Sequence, residues 1–267
     1  MTDKLIRIWT DVEDARHTVL QRQDMMSLDE VPEPVLASIR KVFGEELTPA
    51  DAVARILKDV RTQGDAALRE WTQRIDALEL DHFAIPAHAL KDSYERLPAK
   101  LRDAMEQSAA RIRAFHEHQP IESWTTNELG GTLGQRVEPL ERVGIYVPGG
   151  TAPLPSSLLM AAIPARVAGV DDLTVCTPPG RLDGNVPGVI LAAAHIAGVD
   201  RVYRLGGAQA IAEMGCGTVS TQRVDKIVGA GGLFTTLAKQ QVFGIVGLDG
   251  IYGPTETVVI ADESANP

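Results

Sequence analysis

Through the first 120 residues the apolar positions recur at helical spacing among many polar ones, the pattern of surface helices around a core and not of a buried sheet. The stretch "TPADAVARILKDVRTQG" predicts a helix with Thr48 as N-cap, Pro49 in its first turn and Asp51 beside the cap. Val53, Ile56, Leu57 and Val60 fall on one face of it, and Gly64 ends it. A second helix follows over 65–76. A third, over about 98–117, carries Leu101, Met105, Ile112 and Phe115 at the same spacing. "LGGTLGQRVEPLERV" then alternates and breaks like a pair of strands.

The period changes at Val143. Short β-rich runs recur at Val143, Leu173, Val202, Lys226 and Thr257, punctuated by glycine or proline and separated by helix-length intervals. This β-α-β succession predicts a parallel, doubly wound sheet with helices on both faces. Ligands in such sheets sit beyond the carboxyl ends of the strands. The loop in "GIYVPGGTAPLPSS" lies there, with Gly149 and Gly150 for a sharp turn, prolines 148, 153 and 155 for stiffness, and Ser156 and Ser157 to cap the next helix. Tyr146, at the strand end, offers a ring face and a hydroxyl to an adenine or ribose, or else belongs to the core.

"LGGAQAIAEMGCG" repeats the design, with Gly206 and Gly207 before a helix and Gln209, a donor and acceptor, in its first turn. "KIVGAGGLFTTLAK" is a third such turn, containing Gly232, although it does not meet the usual dinucleotide fingerprint. An ordinary β-α turn explains any one of them; three on neighbouring strands suggest an extended, phosphate-bearing ligand across the sheet edge. "DGIYGPTETVVIADESANP" then places Thr255 in a tight turn, free to bond a polar substrate or its own backbone, before an expected buried strand over 257–261.

Composition narrows the partners. The 267 residues carry 26 Lys and Arg against 36 Asp and Glu, a net charge of −10 that opposes nucleic acid binding. The longest apolar run, near 158–165, is interrupted by Pro164 and falls short of the ~20 residues of a membrane span, and the charged N-terminal residues read as cytoplasmic, not secreted. Cys176 reads as a small core residue, and the spacing of His116 and His118 does not put them on one helical face.

Taken in order, "ERVGIYVPGGTAPLPSSLLMAAIPARVAGV", "LGGAQAIAEMGCGT", "VDKIVGAGGLFTTLAK" and "DGIYGPTETVVIADESANP" closely resemble the histidinol dehydrogenase family, and "VRTQGDAALREWT" and "RIRAFHEHQ" resemble its N-terminal helices. The resemblance implies NAD-dependent oxidation of L-histidinol to L-histidine through the aldehyde, the last step of histidine biosynthesis, with a zinc ion near the alcohol and a homodimer as the working unit. It also implies an α/β fold of two Rossmann-like lobes with parallel sheets, of the aldehyde-dehydrogenase type, behind a helical N-terminal region. The first lobe would span residues 1–145 plus a returning strand over 254–267, and the NAD-binding lobe 146–253. Carried over by motif, Tyr146, Gln209 and Gly232 are expected at the cofactor and Thr255 at the substrate. Gly232 stands where the family commonly has asparagine, so a side-chain bond is lost there. The family's zinc ligands and acid/base pair are expected beyond Pro267, so the chain reads as the N-terminal portion of a longer enzyme, inactive alone. The rival readings are a related zinc-dependent dehydrogenase of another polar alcohol, such as a sulfonated propanediol, and a non-catalytic nucleotide-binding module.

Overall fold

The computed structural model describes residues 7–20, 31–119, 122–149, 153–180, 183–252 and 258–265. Helices fill the first part: α1 (Val12–His17), α2 (Glu33–Phe43), α3 (Pro49–Gln63), α4 (Asp65–Asp76), α5 (Ala87–Glu95) and α6 (Ala99–His116). A small ribbon, β1 (Trp124–Thr126) and β2 (Leu133–Gln135), precedes the alternating part: β3 (Arg142–Tyr146), α7 (Pro155–Val167), β4 (Asp172–Thr177), α8 (Gly188–Ala197), β5 (Arg201–Arg204), α9 (Gly207–Cys216), β6 (Lys226–Val228), α10 (Leu233–Val242) and β7 (Gly247–Leu248).

The helix starts and stops follow local chemistry. Thr48 Oγ1 accepts from the Asp51 amide at 3.1 Å, Pro49 opens α3, and Gly64, at φ +58°, closes it. Ala52, Val53, Ile56 and Val60 form its buried face, and α4 buries Ala67, Leu68 and Trp71. The longer α6 departs from expectation: Met105 is buried, but Leu101 and Phe115 are exposed. Ser156 and Ser157 do not cap α7 either. That helix begins earlier, at Pro155, with Leu154 in the capping position and no side-chain cap, so both serines lie inside its first turn.

Five strands form one parallel sheet in the order β5-β4-β3-β6-β7. β3 is central; the chain builds outward to β5 on one side, then crosses back to β6 and β7 on the other. That reversal creates a topological switch point between β3 and β6, the place where doubly wound sheets open a crevice. Alternate residues face opposite layers. Val143, Ile145, Leu173, Val175 and Val202 pack in one core with residues of α5 to α8, while Tyr146, Cys176, Tyr203 and Ile227 pack in the other with residues of α3, α4, α9 and α10. The open edge of β5 is covered by residues 83–85, which bond Val202 and Arg204 through Ile85 N (2.8 Å) and Phe83 O (3.0 Å).

Three expectations are corrected. Among the described residues there is one parallel sheet, not two; the residues before β3 are mostly helices that clothe both faces of that sheet. The strand pair expected over 129–143 is divided: β2 pairs antiparallel with β1, and β3 joins the parallel sheet. Trp124 Nε1 donates to Gln135 Oε1 at 3.3 Å and so links the two strands of the ribbon. The buried strand expected over 257–261 is absent across its described residues, where Val258, Val259 and Ile260 are 80%, 83% and 94% exposed. Their β-branched pattern suits a strand, but a strand forms only against a neighbour, and none of the described strands pairs with them. No helix among the described residues is long and apolar enough to cross a membrane.

Candidate cofactor site

The turns that follow β3, β4 and β5 converge with the end of α4 around a cleft of about 680 Å³. Pro148, Gly149 and Pro153 come from the first turn, Thr177 to Gly180 from the second, and Gly206, Gly207 and Gln209 from the third; Ile75 and Asp76 from α4, with Pro187 and Ile190 at the start of α8, complete the wall. A volume of this size falls in the range of small-molecule and cofactor sites. Stiff, close backbone makes it: a Cβ on Gly206 would lie 2.9 Å from the Pro178 ring, so only glycine lets the third turn lie against the second.

Tyr146 ends β3 and is buried. Its ring packs in the core, and its hydroxyl accepts the Gly207 amide proton at 3.1 Å and faces the Thr235 side chain on α10. Burial pushes the phenol above its ordinary value, an effect that Thr235 and the Gly207 amide oppose. The hydroxyl thus ties the end of β3 to the turn after β5.

Gln209, in the first turn of α9, is 1% exposed. Its Nε2 donates to Asp76 Oδ2 over a long 3.4 Å, and its Oε1 is buried with no hydrogen-bond partner. A buried, unpartnered amide oxygen costs free energy unless something bonds it, so an orphan in a cleft wall marks a place for a donor. The helices that start at this end of the sheet, α7, α8, α9 and α10, carry no side-chain cap from their own N-cap residue, although the first amide of α9, Gly207, is already taken by the Tyr146 hydroxyl.

Gly232 is the N-cap of α10, in extended conformation, and a Cβ there would meet nothing within 4 Å. It does not line the 680 Å³ cleft but sits on the adjacent turn, across the β3–β6 switch point. The Tyr146 hydroxyl thus bonds the Gln209 turn directly and faces Thr235 on the helix that the Gly232 turn opens. Thr255 lies outside the described residues. Asp76 was missed by sequence reasoning. It is the last residue of α4, which closes on Ala77 in the left-handed conformation at φ +57°, and no local pattern in the sequence marks it.

Two buried acids complete the picture. The Cys176 thiol, fully enclosed, is pushed well above its ordinary value by burial, which disfavours the thiolate and a nucleophilic role. Glu213, one helical turn beyond Gln209 on α9, is raised to about 8 by burial and then by the Asp65 charge. Among the described residues no group of three His, Cys, Asp or Glu is placed to hold a metal ion, so the zinc implied by the resemblance has no ligand set among them.

Comparison with known proteins agrees with this geometry. The family model for histidinol dehydrogenase matches residues 43–267. The chain belongs to the histidinol dehydrogenase family. It is 49% identical over 237 residues to the histidinol dehydrogenase of Deinococcus radiodurans, an alignment covering 89% of this chain and 54% of that protein. With the histidinol dehydrogenase of Cupriavidus pinatubonensis the identity is 46% over 263 residues, covering 94% of this chain and 58% of the relative. The crystal structure of histidinol dehydrogenase from Elizabethkingia anophelis superposes with a TM-score of 0.77 at 32% identity, over 88% of this chain and 55% of the other. The chain therefore spans about half the length of the relatives it matches.

Proposed function

We propose that the chain is the NAD-binding part of a histidinol dehydrogenase, which oxidises L-histidinol to L-histidine through the aldehyde. The observation that carries the cofactor assignment is the cleft at the carboxyl end of the sheet, where a buried, unpartnered Gln209 oxygen stands beside the uncapped start of α9. The residues fit a dinucleotide. Pro148, Pro178 and Ile75 offer flat apolar surface to a base, Gln209 and Asp76 offer polar atoms to a ribose, and the positive end of α9, which opens onto the cleft at Gly207, would draw a pyrophosphate. When bound, NAD⁺ supplies the hydride acceptor.

This chain's own residues bind and orient. Tyr146 holds the Gly207 amide in place, Gln209 fixes one polar face of the ligand, and the prolines restrict the loops. Gly232 would contact the ligand through its backbone, with open space where a side chain would otherwise stand. Thr255 is proposed at the substrate on the family resemblance alone. In this reading residues 146–253 form the NAD-binding lobe. A second parallel sheet, the zinc ligands, the acid/base groups and the contacts of a homodimer would come from the part of the longer relatives outside the aligned region.

The test has two stages. Calorimetric titration of the chain with NAD⁺ should show saturable binding that Gln209→Leu weakens without lowering stability. The full-length enzyme loaded with zinc should form NADH from L-histidinol. No NADH from histidinol, but turnover of a sulfonated propanediol, would move the substrate; no binding of NAD⁺ by the chain would sink the cofactor assignment.

A further inference from the structure

Behind the glycine turn that follows β6 lies an ion pair that the cleft does not use. Lys239 on α10 is 3% exposed at its side chain and pairs with Asp249, which follows β7 and is 20% exposed. Both charges act on one residue. Lys239 Nζ donates to the Gly229 carbonyl at 2.8 Å, and Asp249 Oδ2 accepts from the Gly229 amide at 2.8 Å. The carboxylate also accepts the Gly250 amide at 2.9 Å, and the Tyr252 ring lies 5.1 Å from the ammonium. Every hydrogen-bonding group of the Gly229 peptide backbone is thereby held by the pair.

Gly229 is the residue that cannot be placed otherwise. Its φ is +111°, and a Cβ there would lie 2.2 Å from the Tyr146 carbonyl oxygen. The end of β6 is thus pressed against the end of β3 at the switch point, with Gly232 and the uncapped start of α10 only three residues further on. A backbone in this conformation persists when its surroundings over-determine it. A buried ion pair is a poor way to gain stability, since well-packed apolar residues of similar volume often serve as well. Two charges spent on a single glycine therefore call for a role beyond holding the fold together.

We infer that Lys239 and Asp249 are positioning residues: they clamp Gly229 so that the turn after β6 and the start of α10 face the cofactor beside the turns after β3 and β5. The inference rests on the proposed cofactor site. In it, the pair touches no ligand and sets the height and direction of the turn that does.

The experiment compares the chain with a Lys239→Met/Asp249→Leu double variant, which keeps the approximate volume and removes both charges and both bonds to Gly229. Three readouts are taken together: the denaturation midpoint, amide hydrogen exchange over 229–233, and NAD⁺ affinity by calorimetry. The clamp predicts a near-parental midpoint, with exchange in this turn faster and NAD⁺ binding weaker by about tenfold or more, as expected for the loss of two hydrogen bonds. A purely structural pair would lower the midpoint and affect exchange throughout. Parental exchange and affinity in a stably folded double variant would overturn the inference. Should the double variant fail to fold, Asp249→Asn, which keeps shape and one acceptor oxygen but not the charge, gives the same two readouts, and no change in either overturns it equally. If the parent binds no NAD⁺, the cofactor reading fails, while local exchange still decides whether the pair clamps the turn.

Discussion

Glu213 makes the stability of this chain depend on pH in a direction opposite to that of most carboxylates. It is fully buried on α9; its Oε1 accepts from Thr218 Oγ1 at 3.4 Å, its Oε2 has no partner, and the Asp65 carboxylate faces it from α4. Burial first, and then the like charge, raise it from 4.5 to about 8. The folded chain therefore keeps this proton up to about pH 8, whereas the unfolded chain releases it near 4.5. Between those values the folded state binds more protons, so stability falls as pH rises; below 4.5 the penalty is absent, and above about 8 it is complete. At about 1.4 kcal/mol per pH unit the whole window amounts to on the order of 5 kcal/mol, an upper bound because α9 can relax around a charged Glu213. The perturbation is Glu213→Gln, which keeps the shape and cannot ionise. Urea denaturation of parent and variant at about pH 5.5, 7 and 8.5 gives the difference directly, since the other titrating groups are common to both. The variant's advantage should grow with pH across this range and level off above it. Curves that run parallel from acid to alkaline pH would refute the reasoning and place the Glu213 carboxyl in contact with solvent or a cation.

Three other outcomes follow from the turns. Gly229→Ala should cost at least about 2 kcal/mol in the denaturation midpoint, because the new Cβ would meet the Tyr146 carbonyl at a backbone angle that L-residues avoid. Tyr146→Phe leaves the Gly207 amide without its acceptor and should cost about 1 kcal/mol, together with weaker NAD⁺ binding; unchanged stability and binding would show that the hydroxyl ties nothing. Asp76 is the one charged side chain among the described residues lining the cleft, so Asp76→Asn should shift the ratio of NADP⁺ to NAD⁺ affinity upward by about tenfold, measured by paired titrations, as a negative charge that opposes a second phosphate is removed.

What the sequence revealed depended on whether the signal was local. Thr48, Pro49 and Gly64 mark α3 because a cap, a fixed φ and a turn glycine act on their own few residues. Four of the expected strand runs, at Val143, Leu173, Val202 and Lys226, are strands because buried parallel strands must be nearly continuous apolar runs. β7, the two residues Gly247 and Leu248, carries no pattern and exists by pairing with β6. The run Val258 to Ile260 carries the pattern and forms no strand, since its partner is not among the described strands. Gln209 was legible from its place in a helix's first turn. Asp76 was not, because nothing near it in sequence tells that the end of α4 will meet the start of α9. Tyr146 was legible as a strand end, but the direction of its ring depends on which layer alternate residues face, and that is set by how the helices cover the sheet.

The strand order explains why a tyrosine stands at position 146. The Gln209 turn follows β5 and the Gly232 turn follows β6, on opposite sides of the central β3, and the helices they open, α9 and α10, share one core. Only the central strand borders both halves at its carboxyl end. A residue there with a long, rigid ring and a hydroxyl can bond the Gly207 amide while facing Thr235 on α10, as Tyr146 does. The two halves of the groove are then coupled through one side chain. A substitution at Gln209 should disturb one end of a bound dinucleotide, whereas the loss of the Tyr146 hydroxyl should disturb both, and the sum of the single effects at Gln209 and Gly232 should not reproduce it.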